Sequence, residues 1–276
     1  MKWFHFILSH SIFIAFCAAA MAWQTMLLLQ RDAGIFLYGF IFFATMCSYN
    51  FYWLLCKFVF SGPARIKPFL RKELPEILLM GATVAGLILC LYSSALPVST
   101  VFPAAIFTVI YSLPLWPFSA LRFVRNAGII KTGLLAFTWT YVTAFMPLQR
   151  SLFQLSEREW FLISGRFFFM LLLCIIFDSR DIAVDKIRGL RSLATDLSAT
   201  TLRYLVFLIF ILLFATNCLF SPFGISRSQM IALLLTNLLL MAAYYFSTKK
   251  QGYFFYYFFI DGLMLFSALA TYLAGI

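Results

Sequence analysis

Three carboxylates in one short segment are the residues best suited to chemistry. Asp178, Asp181 and Asp185 stand at positions i, i+3 and i+7, and they are three of the ten acidic residues in the 276-residue chain. On an α-helix, at about 100° per residue, these positions fall within about 60° of one another on one face. Carboxylates grouped in this way repel one another unless a cation lies between them. Hard oxygen donors from a few carboxylates, completed by substrate phosphates, suit Mg2+. Lys186, Arg188 and Arg191 follow directly and offer positive charge to phosphate oxygens. The plain alternative is a solvated loop whose acids and bases pair locally. The one-sided spacing of the acids weighs against it.

The elements that position these residues must be membrane helices. Sixty-three per cent of the residues are hydrophobic, 11% are charged, and the mean hydropathy is +0.95. A soluble globule carries roughly 25% charged residues, so most of this exterior has to face lipid. Nine apolar runs are long enough to span, at about 3–29, 34–58, 76–96, 98–121, 128–148, 160–178, 203–221, 229–247 and 252–274. Alternation at period two is absent, which removes a transmembrane barrel. The expectation is an all-α, polytopic membrane bundle of nine transmembrane helices forming a single domain over 1–276. The first run opens like a secretory leader, with Lys2 and then Ala18-Ala19-Ala20, but it continues to Leu29 and reads as a first span. Pro103, Pro114 and Pro117 interrupt the fourth run and are expected to bend or unwind its end.

Charge sets the orientation. With the N-terminus in the cytoplasm, sixteen of the 21 basic residues fall in inner breaks. Only Arg31, Arg150, Arg158 and Arg227 lie outside, and Arg166 sits within a span. This is the bias of the positive-inside rule, and nine spans place the C-terminus outside. The net charge of +11 is therefore a membrane signal, and no nucleic-acid partner is expected. The six cysteines show neither a CxxC pair nor a zinc spacing, and with His5 and His10 as the only histidines a histidine metal site or a Ser-His-Asp triad is nearly excluded. On this topology the Tyr49-Asn50 pair late in run two and the acids after run six open on the same, cytoplasmic face.

The segment Asp178-x-x-Asp181-x-x-x-Asp185-Lys-x-Arg-Gly-x-Arg-Ser-Leu resembles the second aspartate-rich motif of the UbiA-type intramembrane prenyltransferases. Tyr111-Ser112, Lys131 and the stretch from Trp139 to Pro147 are also similar to that family. The resemblance implies nine helices and Mg2+ at the cytoplasmic ends of helices two and six. It further implies a polyprenyl diphosphate donor, and a lipophilic or aromatic acceptor that is alkylated once the allylic diphosphate ionises. Asp181 and Asp185 would be the catalytic, metal-binding pair, with Asp178 as a further metal ligand. The diphosphate would be held by Lys131, Lys186, Arg188 and Arg191. The family's first motif, Asn-x-x-x-Asp-x-x-x-Asp, is incomplete: Asn50 is present, but Leu54 and Phe58 occupy the aspartate positions. Lys57, two turns after Asn50 on the same face, is a candidate replacement for the missing metal charge. A multi-pass protein of a bacterial plasma membrane, in contact with membrane lipids, is the expected setting.

Each of these residues has a structural reading as well. Lys57 could simply snorkel at a helix end, and Asn50 could hydrogen-bond between helices. Asp261, about 15 Å into the last run by helical rise, could line an acceptor pocket or make a structural hydrogen bond. Arg166 is expected to snorkel outward. Arg65, Lys67, Arg71 and Lys72 are expected to meet anionic lipid. A non-catalytic lipid-binding member of the family, and a transporter, are the competing classes.

Overall fold

Apolar runs become helices because lipid offers the backbone no hydrogen-bond partner, so each amide must be satisfied within its own segment. The computed structural model describes residues 2–61, 73–94, 96–112, 128–188, 191–220 and 224–276, and among these every regular element is helical. In chain order they are α1 (Lys2–Ser9), α2 (Ile12–Leu28), α3 (Ile35–Ser61), α4 (Leu74–Ser94), α5 (Val98–Ser112) and α6 (Gly128–Thr140). There follow α7 (Glu157–Arg188), α8 (Leu193–Asp196), α9 (Ala199–Phe220), α10 (Arg227–Ser247) and α11 (Asp261–Leu273). A π-helical turn, Tyr141–Phe145, extends α6, and another, Phe255–Ile260, leads into α11.

Among the described residues, seven of the expected runs hold helices long and apolar enough to cross a membrane, which makes the chain an integral membrane protein. The other two hold shorter apolar helices, α2 and α5. The first of these runs is divided by a local cause. Ser11 takes a left-handed conformation (φ 62°), which divides the first run into α1 and α2. The fourth run is helical through Pro103 to Ser112, and Pro114 and Pro117 lie outside the described residues.

Neighbour follows neighbour around the bundle. α2 packs on α3, which carries α4; α2 also packs on α11, α11 on α10, α10 on α9, α9 on α7, α7 on α6 and α6 on α5. The π turn after α6 touches α2 and closes the circuit. α7 is the centre: 56% of its crossing segment is buried, against 11% for α4. Leu172, Leu173, Cys174, Ile175 and Ile176 are buried in succession, so this stretch is covered on all sides. At 32 residues, about 48 Å by helical rise, α7 outruns the hydrocarbon, and its C-terminal turns carry the acids beyond it.

Candidate functional site

The acidic end of α7 is held by two neighbours. On one side Thr132 of α6 donates its hydroxyl to Asp178 Oδ2 at 2.5 Å, and Thr132 Oγ1 itself accepts from the Leu193 N–H at 3.1 Å. The close approach of α6 to the turn before α8 needs Gly128, where an added Cβ would fall 2.7 Å from the backbone nitrogen of Ser192. Lys131, one residue before Thr132, brings positive charge to bear on Asp178, and Asp181 and Asp185 bring negative charge. On the other side Arg180 makes a two-pronged pair with Asp181, Nε and Nη2 each 2.7 Å from a carboxylate oxygen. The Arg180 guanidinium is boxed by the rings of Phe177, Tyr256 and Tyr257, whose centroids lie 5.0, 5.1 and 5.0 Å away. The π turn before α11 helps to set two consecutive tyrosines against one cation. Asp185 is buried.

The three acids thus share one helix end but are engaged differently, and among the described residues no group of three acidic, histidine or cysteine side chains converges as a metal nest. Lys186 is exposed. Arg191 pairs with Asp196 at 3.8 Å. The side chain of Arg188 lies outside the described residues, as do Arg65, Lys67, Arg71 and Lys72 and the side chains of Tyr111, Ser112 and Phe58.

Two residues from run two are occupied elsewhere. Asn50 donates to the His10 carbonyl at 3.3 Å, beside the break between α1 and α2. Lys57 is paired with Glu73, just before α4, and stands 3.5 Å from Glu76. Burial alone would lower the lysine pKa, but hydrogen bonding and charge from Glu73 and Glu76 hold it above the ordinary value. Sequence reasoning passed over Glu73, Glu76, Thr132 and the Arg180 box.

Arg166 does not snorkel. It is 6% exposed, and Nη2 donates to Gln24 Oε1 at 2.9 Å and to Thr25 Oγ1 at 3.2 Å. Gln24 Nε2 in turn donates to the Ser267 carbonyl, Ser267 Oγ and Thr271 Oγ1. Three of the basic residues expected outside gather nearby. Arg31 and Arg150 reach Glu159, which is fully buried, and Arg158 donates to the Leu28 carbonyl.

Beneath the acidic end lies an aromatic interior. The Tyr49 and Trp139 rings meet edge to face with centroids 6.2 Å apart, and both pack against the cluster that contains Cys17, Cys174 and Tyr256. The arrangement is a charged helix end over a packed, aromatic-rich core. No family model matches the chain, and no curated protein or solved structure matches it either. What fold and site define is therefore a class: an all-helical integral membrane protein with an acid- and base-rich rim at one end of its central helix.

Proposed function

We propose that the chain is a membrane-bound prenyltransferase of the UbiA type, taking a polyprenyl diphosphate with Mg2+ at the Asp178–Asp181–Asp185 rim and alkylating a lipophilic acceptor. The observation that carries this reading is the placement of the motif: three carboxylates end the most buried of the seven spanning helices, next to an aromatic-rich core. In this reading nine helices cross the membrane, with α2 and α5 as the first and fourth, the N-terminus cytoplasmic and the C-terminus outside.

By donor chemistry Asp178, Asp181 and Asp185 would hold a Mg2+ ion together with the substrate's phosphates. Mg2+ usually takes one or two carboxylates together with substrate phosphates rather than a cage made wholly of protein, and Asp181 and Asp185 offer such a pair. When bound, the ion neutralises charge on the departing diphosphate. The chain's own residues do the rest. Lys131, Lys186, Arg188 and Arg191 supply further positive charge to the diphosphate. Phe177, Tyr49 and Trp139 keep water from the allylic cation. Thr132 holds Asp178 in place. Asn50 and Lys57, engaged as described, stand outside the diphosphate seat.

The test is binding of a non-ionisable geranylgeranyl diphosphate analogue to the detergent-purified chain, with and without Mg2+. Metal-dependent binding that is lost in Asp181→Ala and Asp185→Ala is the expected result. A second reading, a lipid-binding relative without catalysis, draws on Leu54 and Phe58 at the first-motif positions and on the pairing of Lys57 with Glu73. Absence of analogue binding with or without metal, at shorter and longer chain lengths too, would decide for it.

A further inference from the structure

Asp261 is a buried carboxylate that this mechanism leaves without work. It is 7% exposed, and it opens α11 at the exit of the π turn Phe255–Ile260. Single π-helical turns recur at functional positions. A carboxylate at such depth is costly and ordinarily has a partner. Among the described residues Asp261 makes no hydrogen bond, and the charged group whose field reaches it, Arg180, is committed to Asp181. A structural hydrogen bond to another helix, the bland explanation of an intramembrane aspartate, is not what the fold provides.

Its surroundings come from several elements. Cys17 of α2, Tyr49 of α3, Cys174 of α7 and Tyr253 before the π turn all lie within its electrostatic reach. Cys174 is four residues before Asp178, one helical turn deeper into the membrane, about 6 Å by rise. Asp261 therefore belongs to the layer just beneath the acidic rim. If a diphosphate is held at that rim, its allylic C1, one oxygen removed from phosphorus, hangs into this layer.

We infer that Asp261 is the proton acceptor of the transfer step and marks the seat of a neutral acceptor bearing an exchangeable O–H or N–H. This rests on the prenyl-transfer reading. The C1–O bond breaks and its electron pair leaves with diphosphate. The acceptor donates an electron pair to C1, and the proton it sheds passes to the Asp261 carboxylate. An acceptor that itself carries a carboxylate would bring another acidic group into this buried, apolar layer and is disfavoured. Tyr49, with its ring against Trp139, bounds the same layer from the α3 side.

The experiment uses the full-length purified chain and two probes, 4-pentylphenol and 4-hydroxybenzoate, titrated by calorimetry alongside the donor analogue. Wild type is expected to bind the neutral phenol in preference to the carboxylated one. Asp261→Leu should lose at least tenfold in phenol affinity. Asp261→Asn, which keeps the shape if the leucine variant misfolds, should bind the donor analogue within twofold of wild type, bind 4-hydroxybenzoate more tightly than wild type does, and lose about 100-fold in prenyl transfer to the phenol, the lower range for a missing general base. Equal phenol binding by wild type and Asp261→Leu, no phenol binding by wild type, or full transfer by Asp261→Asn would each overturn the inference. The phenol arm does not touch the diphosphate rim. Phenol binding without any donor-analogue binding would therefore defeat the prenyl-transfer reading and Asp261 as its base while leaving the acceptor seat. Donor binding with unaltered phenol binding would defeat the seat alone.

Discussion

At the residue scale, the pairing of Arg180 with Asp181 governs what the acidic rim presents. The two side chains are 23% and 39% exposed, so water screens the pair only in part. Its geometry is the strong one for arginine, a planar fork onto both carboxylate oxygens with aromatic faces around the guanidinium. Lysine cannot reproduce that fork. A double-mutant cycle of Arg180→Ala and Asp181→Ala, read from thermal unfolding in detergent, is expected to give a coupling of about 1 kcal/mol. Arg180→Lys should keep less than half of it. A coupling indistinguishable from zero would mean that the ion pair contributes nothing and that the aromatic box alone holds the arginine. Arg180 also joins the last helix to α7, because its cation bridges Phe177 on one and Tyr256 and Tyr257 ahead of the other.

At the element scale, the buried layer that ties α2, α7 and α11 together is more consequential than any surface pair. Arg166 carries a charge into the bundle, and its Nη1 has no partner among the described residues. Replacing a buried, incompletely satisfied ion by an apolar side chain of similar volume is often neutral or stabilising, whereas deleting its partner strands the charge. Arg166→Met is accordingly expected to unfold within about 1 kcal/mol of wild type, and Gln24→Leu to lose about 3 kcal/mol or more. Comparable losses in both variants would show instead that the guanidinium itself stabilises the bundle. The helices were legible in the sequence because lipid enforces long apolar runs, and each of the nine runs does contain a helix. The break at Ser11 was not, since a left-handed serine carries no compositional mark. Nor were the partners of the charges: Thr132 is 46 residues from Asp178 and Glu73 is 16 from Lys57, and such contacts exist only once helices pack. The Arg180–Asp181 adjacency was in plain view in the sequence, and the Tyr256-Tyr257 doublet could have suggested its cage. The acid spacing says nothing about which neighbours each acid will meet: Asp178 meets Thr132 and Asp181 meets Arg180.

At the scale of the whole molecule, the two shorter helices decide how many times the chain crosses. α5 runs antiparallel to α6 along much of its length. The Tyr141 hydroxyl near the end of α6 donates to the Thr100 carbonyl near the start of α5, and Phe107 meets Phe137 one turn further along. α2 runs parallel to α11: Phe13 stacks on Phe258 at one end, and Gln24 bonds Thr271 towards the other. Each short helix therefore traverses much the same layer as a neighbour that is long and apolar enough to span. At 17 residues α2 is about 25 Å long by helical rise, within the range that local thinning of a bilayer accommodates. If both cross, the links at Gly34, Pro97 and Ser151 lie on one face, and those at Ser198 and Thr248 on the other. Single cysteines at these five positions, in a chain stripped of its native six, should label in that pattern with a membrane-impermeant maleimide on intact cells, the first three reacting and the last two reacting only after lysis. A Gly34 cysteine protected until lysis would mean that α2 fails to reach the far side. It would also place the start of α3 on the same face as the acidic rim, and the Asn50 and Lys57 end of that helix would then lie across the membrane from Asp181.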